Sequence, residues 1–115
     1  GKMRFPKPEP EAFDAYEPAE LQAAFVNAIQ AHLDQVAAAR GYGDPDGRFA
    51  MLSCCTYAAS QHPRFGADGR AAVTWRDEVW QVGRTIESDV LAGRRSIPSL
   101  EELIGELPVM VWPEV

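Results

Sequence analysis

Two adjacent thiols, Cys54 and Cys55, and two histidines, His32 and His62, are the residues of this chain best suited to covalent or acid–base chemistry. A Cys–His pair becomes nucleophilic when the imidazole takes the thiol proton and a helix N-terminus or basic flank favours the thiolate. Neither flank accompanies these thiols. Both read as half-buried helix cysteines, since free Cys is among the most buried residue types. His32 lies on the flank of an apolar helical stripe and His62 precedes Pro63 in a loop. No Cys-x-x-Cys or His-x-x-x-His spacing offers a metal site, and a vicinal cysteine pair is not the usual ligand unit. A vicinal pair also makes no useful cross-link, so the thiols are expected free, as in a reducing cytoplasm at synthesis.

Asp44-Pro45-Asp46-Gly47 has part of a calcium-loop pattern, but the place of its closing glutamate is taken by Cys55, which leaves a turn as the better reading. Gly41 and Gly43 precede no Lys-Ser or Lys-Thr, so no phosphate loop is present. The reading assigns no catalytic, cofactor-binding or metal-ligating residue, and no cofactor.

Trp75-Arg76-Asp77-Glu78-Val79-Trp80 is the remaining charged cluster. At about 100° per residue its two indoles point about 140° apart, so one stripe cannot hold both. Trp75 continues with Val79, Val82, Ile86 and Val90, and Trp80 with Ala72 and Gly83. This predicts a central helix covered on two sides. Arg76, one turn before Trp80, is expected to stack on it, while Asp77 and Glu78 diverge and form no dyad. The hexapeptide reads as scaffold.

The elements that carry these residues are helical. Pro18 fits a first helical position, with Glu20 near the positive end of the dipole. Leu21, Phe25, Ile29, Leu33 and Val36 then form a stripe that ends at Gly41. Asp44 is expected to cap a second helix with Pro45 in its first position, through Phe49, Leu52 and Cys55 to about Ser60 and ended by Pro63 and Gly66. The third helix is expected from about Asp68 to Gly93. Ser99-Leu100-Glu101-Glu102 is a capping box opening a short fourth helix that stops at Pro108. The fold expected is all-α: a compact bundle of three main helices plus a short fourth, with extended N- and C-terminal arms. Residues 1–17 form the proline-containing arm and 18–115 one helical domain. Its predicted core includes Phe25, Ile29, Leu33, Trp75, Val79, Trp80 and Ile86.

Bulk properties agree with one small domain: 115 residues, 46% hydrophobic and 10% aromatic, enough for a core. The net charge of −6 disfavours nucleic acid and anionic membranes, because those surfaces select Lys and Arg. No apolar run is long enough to span a bilayer, and the N-terminus lacks a signal-peptide pattern. Gly1-Lys2-Met3 is not a natural initiator sequence, so either residues were added or the chain is a piece of a longer protein.

Several segments recur in a recognisable order: Ala31-His32-Leu33-Asp34, Ala39-Arg40-Gly41-Tyr42, Tyr57-Ala58, Pro63-Arg64-Phe65, the tryptophan hexapeptide, Leu107-Pro108 and Trp112-Pro113. Together they resemble small proteins, or C-terminal modules, encoded beside tail-fibre genes of tailed bacteriophages and prophages. The match covers most of residues 20–113, and the Gly43–Arg48 link is longer than that pattern. The resemblance implies a role around the phage tail and no catalytic residues. It makes other phage tail proteins, the fibre among them, the expected partners. The expected location is the bacterial cytoplasm during synthesis, then the virion tail for a structural part. A fibre-assembly chaperone that leaves the virion is the alternative, and a small Cys/His enzyme a third reading. Phe5 in the proline arm, Val109 and Trp112 are the candidate partner contacts. Trp112 is expected to cover part of the third helix, since a tryptophan usually finds cover in its own core. Oligomeric state is not legible.

Overall fold

The computed structural model describes Phe13 and residues 16–114, and every regular element among them is helical. Helix α1 spans Pro18–Ala39, α2 Ala50–Thr56, α3 Pro63–Leu91 and α4 Leu100–Glu106, with a 3-10 turn over Tyr57–Ala59 between α2 and α3. This is the expected all-helical bundle of three main helices and a short fourth. The Phe5–Pro10 alternation and the candidate contact Phe5 lie outside the described residues.

α1 starts as its sequence directs, with Pro18 in the first turn and Glu20 beside the exposed amides. Most of a helix's stability in a folded protein comes from packing its apolar face. Burial of Leu21, Phe25, Ile29 and Leu33 on one stripe, about 1.5–3 kcal/mol for each large side chain, holds it. Phe13, which the division at residue 17 places in the arm, is wholly buried, its ring 4.7 Å from that of Phe25 at 68°.

α1 packs on all three other helices, and its pairing with α3 is antiparallel. Ile29 meets Gly83, His32 meets Trp75, and Arg40 meets Asp68. The approach at Gly83 is tight, since a Cβ there would stand 2.6 Å from Ile29 Cδ1.

Four expectations need correction. The third helix opens at Pro63, five residues before Asp68. His62 caps it, Nδ1 accepting from Phe65 N at 3.3 Å, and Pro63 sits at the first position. Gly66 therefore lies inside a helix, as does Gly69. Both lack a Cβ because the backbone at Ser60 and at Tyr57–Ala58 lies against them.

The second helix is shorter than expected. Asp44 Oδ1 accepts from the amides of Asp46 and Arg48 at 2.9 and 2.8 Å, which closes a turn and spends its capping capacity. α2 begins at Ala50 after Phe49, whose φ of 56° is left-handed. Its cap comes from α1, where Asp34 Oδ1 accepts from Met51 N at 3.0 Å.

Next, α3 is not apolar on two sides around its tryptophans. Ala72, Trp75, Val79, Gly83 and Ile86 are buried, a stripe about 80° wide at 100° per residue. Trp80 is half-buried at its margin, packed against the core. Finally, the cation near Trp80 is Arg84, 6.0 Å from the ring centroid, while Arg76 pairs with Asp77 at 3.0 Å.

α4 opens with the expected capping box: Glu102 N donates to Ser99 Oγ at 3.1 Å and Ser99 N to Glu102 Oε1 at 2.9 Å. Beyond it, the Trp75 indole N–H donates to Pro108 O at 2.7 Å, which straps the C-terminal segment across α3. Among the described residues no helix is long and apolar enough to cross a membrane.

Candidate functional site

One carboxylate organises the end of the bundle where α1 stops and α3 starts. Asp68, in the second turn of α3, is fully buried. Arg40 forks onto it, Nε to Oδ2 at 3.0 Å and Nη2 to Oδ1 at 3.1 Å. The Tyr42 hydroxyl donates to Oδ2 at 2.9 Å, and Arg64 Nε stands 3.9 Å away. Burial pushes the Asp68 carboxyl up, but the Arg40 and Tyr42 hydrogen bonds with the Arg40 and Arg64 charges outweigh it and hold the group below the usual range. Tyr42 moves the other way: burial, then its bond to Asp68, raises its hydroxyl.

The hub carries a row of rings. Tyr42 lies 6.4 Å from Trp112, inclined by 23°, and Arg40 sits 5.1 Å from the Trp112 ring centroid while donating to Pro113 O at 3.4 Å. On its other side Tyr42 meets Tyr57 at 5.7 Å, Tyr57 meets Phe65 at 5.4 Å, and Phe65 stacks on His62 at 4.1 Å. Five rings from four separate segments thus form one strip, with Tyr57, Phe65 and His62 exposed. Arg40, Arg64, Trp112, Pro113 and Glu114 line an open cavity of about 350 Å³ beside it.

The residues singled out as chemical do not assemble. Cys54 is buried, donates to the Asp68 carbonyl at 3.8 Å, and its thiol is pushed up to about 12, chiefly by burial. Burial also raises Cys55. His32 packs edge-on against Trp75 at 5.8 Å, and burial lowers its pKa; His62 is engaged as a helix cap. Neither thiol is hydrogen-bonded to a histidine among the described residues, and no group of three His, Cys, Asp or Glu side chains gathers there as a metal site. An apolar cavity of about 390 Å³ between α1 and α4 holds one titratable group besides Tyr16, namely His32. It offers volume without an acid–base pair.

Of the candidate partner contacts, Val109 is 85% exposed. Trp112 is half-buried, but its cover is Tyr42 and Arg40. It lines a cavity with Arg64 of α3 and packs against the core.

Core positions Phe25, Ile29, Leu33, Trp75, Val79 and Ile86 are buried. Asp68 went unnoticed as a site residue because its partners are 26 and 28 positions away. Its partners Arg40 and Tyr42, with Tyr57, Arg64, Phe65 and Trp112, fall in the ordered segments set out above, although Asp68 does not. His32, Trp75 and Pro108, from the same segments, form a second, structural cluster.

No protein-family model matches this chain, and neither a curated protein nor a solved structure matches it.

Proposed function

We propose that this protein is a non-enzymatic interaction module of a phage or prophage tail, working near the fibre or baseplate. The observation that supports it is the aromatic strip, five rings from four segments with Tyr57, Phe65 and His62 exposed, set on a buried charge hub. Exposed aromatic surface beside a half-exposed arginine, here Arg64, is the composition of protein-binding hot spots. The phage setting comes from the ordered segments, which include the Tyr42, Tyr57, Phe65 and Trp112 rings of this strip. A thiol near pKa 12, and histidines paired with no carboxylate among the described residues, favour binding over catalysis. The location that goes with this reading is the bacterial cytoplasm during synthesis and the virion tail afterwards.

Co-expression with the adjacently encoded fibre protein tests the reading. The wild-type chain is expected to co-purify with the fibre, and Tyr57→Ala with Phe65→Ala to weaken capture at least about ten-fold without loss of helical circular dichroism. Unchanged capture by the double variant rejects the strip as the interface. Retention in purified virions marks a structural part; absence with improved fibre yield marks an assembly chaperone.

A further inference from the structure

The chain that follows α4 is anchored at two points. Leu107 leaves the helix in an extended conformation, with φ −78° and ψ 148°. The Trp75 indole N–H donates to Pro108 O at 2.7 Å, and Arg40 donates to Pro113 O at 3.4 Å with its guanidinium over the Trp112 ring. Between these anchors the exposure alternates. Met110 and Trp112 pack against the core, while Val109 and Val111 are 85% and 80% exposed. A period of two is that of an extended strand. From Val109 through Trp112, however, no backbone N–H or C=O makes a hydrogen bond among the described residues. Buried backbone groups are nearly always paired, so these face water.

We infer that Val109–Trp112 is a template for strand addition that takes an extended segment of another protein. The amides and carbonyls of Val109, Met110, Val111 and Trp112 present partial charges of alternating sign. The complement of that pattern is another extended main chain. A helix pairs its backbone internally and has none to offer. Pro108 and Pro113 carry no N–H and limit the ladder to the residues between them. Both anchors hold the segment in place beforehand, so little ordering entropy is lost on its side. On the outer face, β-branched or aromatic residues of the incoming strand cover Val109 and Val111. The ligand class is therefore an extended, alternately apolar peptide. This surface lies across Tyr42 from the exposed Tyr57 ring, and it does not depend on the phage setting.

A second copy does not fit as the occupant. Two-fold antiparallel pairing of the segment with itself turns on an axis normal to the ribbon, so both bundles fall on the same face. Paired strands lie about 4.8 Å apart. The segment is seated on α3 at Pro108 and on the end of α1 at Pro113, and the axes of packed helices are themselves about 8–10 Å apart. The two bundles would overlap. A thin, extended segment meets no such obstacle.

Amide hydrogen exchange by NMR on the isotopically labelled full chain tests this, with the acetylated and amidated peptide Thr-Val-Thr-Val-Thr as the probe. In the free chain the amides of Val109, Met110, Val111 and Trp112 are expected to exchange as fast as those of an unstructured peptide. The probe should slow two alternate amides, Val109 with Val111 or Met110 with Trp112, at least about ten-fold. The alternation is expected because one edge of a strand carries every second residue. The same peptide methylated on every amide nitrogen keeps its side chains, cannot form a ladder, and should give no protection. Equal protection by the methylated peptide, no protection at any probe concentration, or amides already protected in the dilute free chain each overturn the proposal. So does protection that grows with the concentration of the chain alone, which makes a second copy the occupant.

Discussion

Arg40, the residue that ends α1, forks onto Asp68 in the second turn of α3 with bonds of 3.0 and 3.1 Å. This pair fixes where two long helices meet, and through Tyr42 and Trp112 it fixes the ring strip as well. A buried pair of this kind adds little over a well-packed apolar one, but losing one partner is costly because a buried charge is left unmatched.

Asp68→Asn should therefore destabilise the fold by roughly 2–4 kcal/mol near neutral pH, read by urea unfolding. The effect has a definite pH dependence. The folded carboxyl titrates below its ordinary value of about 3.9, so the unfolded state binds the proton more tightly. The ionised group's contribution is complete above that value and is lost as acid titrates the folded carboxyl. The gap between wild type and Asp68→Asn is expected to narrow below about pH 4. A gap that stays constant from neutral pH into acid contradicts the assignment.

The glycines of α3 separate two kinds of close approach. A Cβ at Gly69 would run into the backbone of Tyr57 and Ala58, whereas one at Gly83 meets the mobile tip of Ile29 at 2.6 Å. Gly69→Ala should destabilise by about 1–3 kcal/mol. For Gly83→Ala the helix-propensity gain of nearly 1 kcal/mol offsets much of the crowding, so thermal unfolding should place it within about 1 kcal/mol of wild type.

The strap over α3 hangs on one indole. Trp75→Phe keeps most of the apolar volume and removes the donor to Pro108 O, 2.7 Å away. A cost of about 1–2 kcal/mol is expected. The diagnostic result is local: proteolysis near Met110 and Val111 should accelerate more than global unfolding accounts for. Equal protection in the variant and the wild type shows that Trp112 holds the segment without the strap.

What the sequence made legible was whatever depends on near neighbours. The α1 stripe and the Ser99–Glu102 box are each complete within a few residues, and both appear as expected. The expectation ends the second helix at Pro63, whereas Pro63 opens the third, because proline stops one helix as readily as it starts the next. The choice is made by Gly66 and Gly69, whose missing Cβ atoms admit the backbone around Tyr57 and Ser60. That contact joins α3 to the preceding turn and has no periodic signature. Arg76 and Arg84 are both one turn from Trp80, so spacing alone does not choose between them. Asp68 illustrates the same limit for the site, since its hydrogen-bond partners lie on another helix and loop.

Cys54 gives the sharpest chemical test of the binding reading. Its thiol is buried and pushed up to about 12, against about 8.5 for a free cysteine. The thiolate fraction at neutral pH is then lower by about three orders of magnitude. Native protein should leave Cys54 unmodified by iodoacetamide over times that fully label a model thiol, and urea should expose it to ordinary labelling. Cys54→Ala should leave fibre capture unchanged, because the thiol faces the Asp68 carbonyl beneath the strip rather than the surface. Rapid labelling of Cys54 in the folded chain, or lost capture by a well-folded Cys54→Ala variant, would bring the nucleophile reading back.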